Sequence, residues 1–133
     1  MKLKSTGLCA LLLLAAPAAA DDAKPVSFTA PQAEKGRDLY GTNCGSCHGE
    51  DLSGSEFAPA LKSGRFRRER ASGTSGALLT YVRSNMPPTQ PGNLPPEDYA
   101  AILAFVLKAN GAPEGAAFPA DPASKATIAL PHP

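Results

Sequence analysis

The sequence comprises 133 residues, of which 43% are apolar and 19% charged, with a formal net charge of +1 at pH 7. That length and balance suit one globular domain and exclude both a charged disordered chain and a protein with the broad basic face that phosphate binding uses, so nucleic acid is not an expected partner. With no Trp, three Tyr, five Phe, 12 Gly and 14 Pro, the chain has little from which to build a thick core of its own.

Residues 1–20 stand apart from the rest. Lys2 and Lys4 form a basic start, Leu8 to Ala16 an apolar run, and Ala18-Ala19-Ala20 a cleavage site before Asp21, the pattern of a secretory signal peptide. The apolar run is shorter than the roughly 20 residues a membrane span needs, so export to the periplasm with cleavage is expected, without stable membrane insertion afterwards. Cys9 would leave with the signal; Thr6-Gly7-Leu8 before it does not suit a lipoprotein. Loss of Lys2 and Lys4 brings the net charge to about −1. Cys44 and Cys47 then remain as the only cysteines.

Residues 21–30 read as a flexible leader. Thr29 is an N-cap candidate, with Pro31 in the first turn and Gln32 at the capping-box position, so a helix is expected over 31–42. Ala33, Gly36, Leu39 and Tyr40 fall near one face of it. Gly36 costs about 1 kcal/mol against Ala inside a helix, which points to close approach by another element.

Cys44-Gly45-Ser46-Cys47-His48 follows, the C-x-x-C-H pattern of covalent c-type haem attachment. Over a helical turn, Cys44 and Cys47 at i and i+3 point to one side, where two thiols can meet the two vinyl groups of a porphyrin edge. His48 is then carried under the ring with a nitrogen free to ligate iron. A disulfide or a thioredoxin-like redox pair is the rival reading of the cysteines; the latter belongs to βαβ contexts, and no strand is legible here.

Residues 49–76 are rich in Gly, Ser and Pro without helical period and read as a long loop, a length that makes sense if it wraps something. Lys62, Arg65, Arg67, Arg68 and Arg70 stand here against Glu69. They form a solvated patch, pair with haem propionates, or steer a partner. A second helix is expected over 77–85, capped by Thr74 or Ser75, and Met86-Pro87-Pro88 ends it in extended chain. Met86 is the single methionine after Met1; its thioether can ligate iron opposite histidine or simply fill a core gap. A third helix is expected over 97–109. Pro95-Pro96 precede it, Glu97 and Asp98 suit its dipole, and Asn110-Gly111 stop it. Its apolar residues surround so much of the circumference that it should be buried. Residues 112–133, rich in Ala and Pro, read as a flexible tail, and His132 as a solvated residue rather than a ligand.

The order of helix, C-x-x-C-H, long loop, Met-Pro and terminal helix resembles the small class I cytochromes c over residues 31–111. Tyr40-Gly41-Thr42-Asn43-Cys44, Ala58-Pro59-Ala60-Leu61, Met86-Pro87-Pro88 and Tyr99-Ala100-Ala101-Ile102-Leu103-Ala104 are similar to the monohaem cytochromes that accompany periplasmic quinoprotein dehydrogenases. The resemblance implies an all-α cytochrome c fold, three main helices and a long loop around one covalent haem c. It implies that the Gly36 and Tyr40 face crosses the terminal helix near Ile102 and Phe105, that the Pro59 carbonyl accepts from the non-ligating nitrogen of His48, and that Arg67 lies near a propionate. The expected function is single-electron carriage, not catalysis, through a haem ligated by His48 and Met86. A periplasmic dehydrogenase is the expected donor, a further cytochrome or oxidase the acceptor, and the carrier a monomer. A haem subunit of a dehydrogenase complex, or an open-site sensor or peroxidase if Met86 is not a ligand, are the alternatives.

Overall fold

Five helices follow one another in the computed structural model, which describes residues 25–131. The expected signal segment, the first part of the leader and His132 lie outside the described residues. Helix α1 is Ala30–Asn43, α2 Gly45–His48, α3 Gly64–Glu69, α4 Ser75–Asn85 and α5 Pro96–Ala109. Among the described residues β-structure is limited to two isolated bridges.

Helix α1 starts where the sequence places it. The Gln32 N–H donates to Thr29 Oγ1 at 3.3 Å, and Pro31 sits in the first turn, satisfying one of the amides that a helix start leaves without an acceptor. The capping box does not close, because the Gln32 side chain is used elsewhere. Its Nε2 donates to Phe118 O at 2.9 Å and its Oε1 accepts the Phe118 N–H at 2.8 Å.

The main helix pair is α1 on α5. A Cβ on Gly36 would strike the Ala101 carbonyl and come within 3.1 Å of Ile102 N, so the crossing needs glycine there. Tyr40 stacks obliquely on Phe105, centroids 5.3 Å apart, and Lys35 Nζ pairs with Asp98 Oδ1 at 2.6 Å. Helix α5 buries residues on nearly every side, from Tyr99 to Leu107, as its apolar circumference predicts.

Helix α4 begins two residues before the sequence-based start. Thr74 is its cap, with Oγ1 accepting the Ala77 N–H at 3.2 Å. It ends at Met86, which is extended (φ −128°, ψ 144°) and donates its N–H to Val82 O at 2.8 Å.

Two expectations fail. The stretch read as continuous loop contains α3, capped by Ser63 Oγ accepting the Phe66 N–H at 3.1 Å. Phe66 is its one buried residue, so no apolar period could announce it. The tail and the end of the leader are not loose either: Phe118, Ile128, Val26 and Phe28 are all buried. Val26 N–H donates to Thr127 O at 2.7 Å and Gly115 N–H to Phe28 O at 2.8 Å, so the first and last parts of the described residues fasten each other. Such anchors are single apolar residues at irregular spacing, invisible to a periodicity test.

Candidate functional site

A cavity of about 680 Å³ opens between the end of α1, the following loop, α3, α4 and α5, with mostly apolar walls. Cys44, Cys47, His48, Pro59 and Met86 all lie on it. Sequence positions nearly forty residues apart are thereby brought to one hollow.

The motif forms a helical turn. His48 N–H and Cys47 N–H both point back to Cys44 O, at 3.0 and 3.2 Å, while Cys44 N–H caps α1 on Tyr40 O at 2.8 Å. Both sulfurs are half-buried and not joined to each other. Burial pushes the Cys44 thiol up to about 11, with the neighbouring Cys47 adding to the shift. A redox C-x-x-C site needs the opposite at its first cysteine, a thiolate stabilised at neutral pH; here both cysteines line the mostly apolar cavity. The Tyr40 hydroxyl, whose acidity burial suppresses, donates to Gly49 O at 2.7 Å and ties the turn to α1.

His48 is 8% exposed, with Nδ1 2.8 Å from Pro59 O. A carbonyl only accepts, so Nδ1 is the nitrogen that carries a proton, and in the neutral ring the lone pair is then on Nε2. The loop is folded to deliver that carbonyl: Gly54 N–H donates to His48 O at 2.8 Å, Ser55 N–H to Ala58 O at 2.9 Å, and Leu61 N–H to Leu52 O at 2.9 Å. Leu52 holds an unusual φ of 67° in this fold while its side chain is buried.

Met86 reaches the cavity from the C-terminal end of α4. Its carbonyl accepts the Tyr99 hydroxyl at 2.8 Å, and its peptide bond to Pro87 is cis. Helix α4 and α5 therefore both hold its backbone.

Arg67 is not on the cavity wall. Arg65, Phe66, Glu69 and Arg70 are, the i, i+1, i+4, i+5 face of α3, which turns positions 67 and 68 away. Arg67 Nη1 instead lies 3.5 Å from Asn110 Oδ1, and its Nε is buried without an acceptor. Arg65 pairs with Glu69, Nε to Oε1 2.9 Å, and Arg70 stacks 4.2 Å above the Tyr81 ring.

Sequence reasoning missed Asn110, read there only as a helix stop. Its Nδ2 donates to Leu61 O and Val106 O, each at 2.8 Å, joining the loop to α5. No local signal separates a capping Asn from such a clamp. Phe57 on the cavity rim was missed too, and it is 75% exposed.

Among the described residues no group of three or more His, Cys, Asp or Glu side chains could hold a metal ion by itself. An imidazole with a free Nε2, a thioether and two thiols around one apolar hollow fit a metal that arrives in a flat apolar ring.

The family model for cytochrome c oxidase, cbb3-type, subunit III, matches residues 31–106. A curated relative, the cbb3-type cytochrome c oxidase subunit CcoP of Rubrivivax gelatinosus, is 34% identical over 79 residues, which are 59% of this chain and 26% of that protein. The match thus spans about a quarter of the relative's length. Among solved structures, the sulfane dehydrogenase SoxCD from Paracoccus pantotrophus is similar at 27% identity, covering 68% of this chain and 52% of that one, with a TM-score of 0.46. No helix among the described residues is long and apolar enough to cross a membrane. With the match running from the first turn of α1 through the C-x-x-C-H turn and Met86 into α5, the chain belongs to the cbb3-type cytochrome c oxidase subunit III family, as an all-α c-type cytochrome domain whose cofactor is covalent haem c.

Proposed function

We propose that the protein is a periplasmic single-electron carrier in which Cys44 and Cys47 hold the haem by thioethers and His48 and Met86 ligate its iron from opposite sides. Bound haem c supplies a one-electron iron couple. Pro59 fixes the His48 ring through the 2.8 Å contact at Nδ1 and raises the basicity of Nε2. Met86 would supply the second protein ligand to the iron, which favours the reduced state and would leave no position for a substrate. The chain is therefore a carrier and not a catalyst. Arg65 and Arg70, which line the cavity where Arg67 does not, would be the side chains to pair with the propionates.

The observation that carries this reading is the pairing of His48, with Nε2 free, and Met86 on one apolar cavity. Replacing Met86 with Ala is expected to lower the reduction potential, within the roughly 0.8 V span that axial ligands control, and to abolish the thioether-to-iron charge-transfer band. An unchanged potential and band overturn the ligation. Haem that separates from the denatured polypeptide overturns the thioethers.

Its partners are redox proteins, a dehydrogenase as donor and a further cytochrome or oxidase as acceptor. They meet it at the rim near Cys47 and the Met86 loop through a small transient contact. Phe57 supports that location: it is exposed, and its loop is held by the Phe57 N–H to Ser55 Oγ and the Ser55 Oγ to Cys47 O bonds, 3.0 and 2.5 Å. A second reading is a haem subunit of a larger redox complex; the family and the relative are both named as oxidase subunits. Gel filtration of native extract separates the two: a free carrier elutes as a monomer, a subunit with its complex.

A further inference from the structure

Residues 112–131 lie beyond the stretch that matches the family, and part of them is fastened to one helix only. That helix is α4, and its C-cap is Met86. It has 11 residues, about 16 Å of rod, and it rests on α5 over much less surface than α1 does. At the Met86 end it is tied by Tyr99.

The far end is tied by the tail. Ser75 N–H donates to Ala126 O at 2.8 Å, Gly76 N–H to Ser124 O at 3.3 Å, and Ile128 N–H to Gly73 O at 2.9 Å. The first amides of a helix lack intrahelical acceptors, and here tail carbonyls supply them. Ser75, fully buried, adds an Oγ bond to Ser124 Oγ at 2.9 Å. A Cβ on Gly76 would collide with the Pro122 carbonyl and lie 2.7 Å from Ser124 O, so the tail backbone lies directly on the helix. The tail is itself held to the body by buried Ile128 and by the Val26 bond to Thr127 O.

We propose that residues 121–128 are a strap that fixes the start of α4 and through that rod sets the lifetime of the Met86–iron bond. Ser75, Gly76 and Ser124 are its positioning residues. The inference rests on iron ligation by Met86. A rod pinned at both ends cannot swing its terminal thioether away; one released at the far end can pivot on the Tyr99 contact and open the axial side to an outside ligand.

The test mixes the full-length ferric holoprotein with imidazole and follows loss of the thioether-to-iron band, while far-UV circular dichroism reports helix content. Gly76→Ala drives a methyl group into the strap and is expected to bind imidazole about tenfold faster, the factor to which a modest overpacking penalty corresponds. Ser124→Ala, which removes the bond to Ser75 Oγ and the longer one from the Ala126 N–H to Ser124 Oγ at 3.4 Å but leaves the backbone bonds to α4 in place, is expected to give a smaller acceleration and carries the test if Gly76→Ala does not fold. Phe118→Ala is the comparison, because it empties a buried site in the same tail beside α1 rather than α4; it should destabilise the protein yet leave the imidazole rate within about twofold, as for uncoupled sites. Wild-type rates in both Gly76→Ala and Ser124→Ala overturn the strap, and so does equal acceleration in Phe118→Ala. If the wild-type protein lacks the band, the ligation falls and the strap with it. A wild-type band with unmoved variant rates overturns the strap alone.

Discussion

Asn110 shows how one side chain can carry structural weight that its neighbours in the chain do not reveal. Its amide joins Leu61 of the loop to the end of α5, and both carbonyls lose a donor if the amide is removed. Asn110→Ala is expected to cost about 1–3 kcal/mol, the range for orphaned buried polar groups, read as a lower denaturation midpoint of the holoprotein. His48 lies at the other extreme. Its place is dictated by the four residues before it, since the Cys44 carbonyl receives the amides of Cys47 and His48 within one turn. What adjacency cannot provide is the Pro59 carbonyl at Nδ1, which depends on how a loop of ten residues closes.

At the level of elements, the crossing of α1 and α5 is the firmest feature and was the most legible. Gly36 is an unfavourable helix residue whose only gain is proximity, and the structure puts a backbone carbonyl where its side chain would be. Gly36→Ala improves helix propensity by about 1 kcal/mol, but the methyl group meets Ala101 backbone rather than a yielding side chain. Overpacking of about 1–3 kcal/mol should win. A thermal midpoint that stays level or rises would refute this. Helix α3 was illegible because it buries Phe66 alone; its face decides that Arg65 and Arg70, and not Arg67, border the cavity.

For the whole molecule, the cavity is the dominant fact. Its mostly apolar walls stand open to water unless a largely apolar group fills it, and a chain with so thin a core of its own depends on that filling for its stability. A Cys44→Ser, Cys47→Ser double variant, freed of covalent haem, is expected to lose the cooperative thermal transition seen by circular dichroism in the holoprotein. A sharp transition in the haem-free variant would show that the polypeptide folds on its own. The scarcity of large apolar residues already pointed this way, since a thin core needs an apolar filler.

By itself the sequence determined what depends on neighbours within a few residues: the turn that presents Cys44, Cys47 and His48, the Thr29 cap, the buried α5, and the stop that leaves Met86 in extended chain. These are short-range consequences of spacing and of proline geometry, so they survive whatever the rest of the chain does. Only the tertiary structure decided which arginines face the hollow, that Asn110 clamps loop to helix, and that the tail packs and binds α4 where flexibility was expected. Each of those rests on backbone groups or single side chains meeting across many intervening residues. Such meetings leave no period in the sequence and exist only once the chain has closed around its cavity.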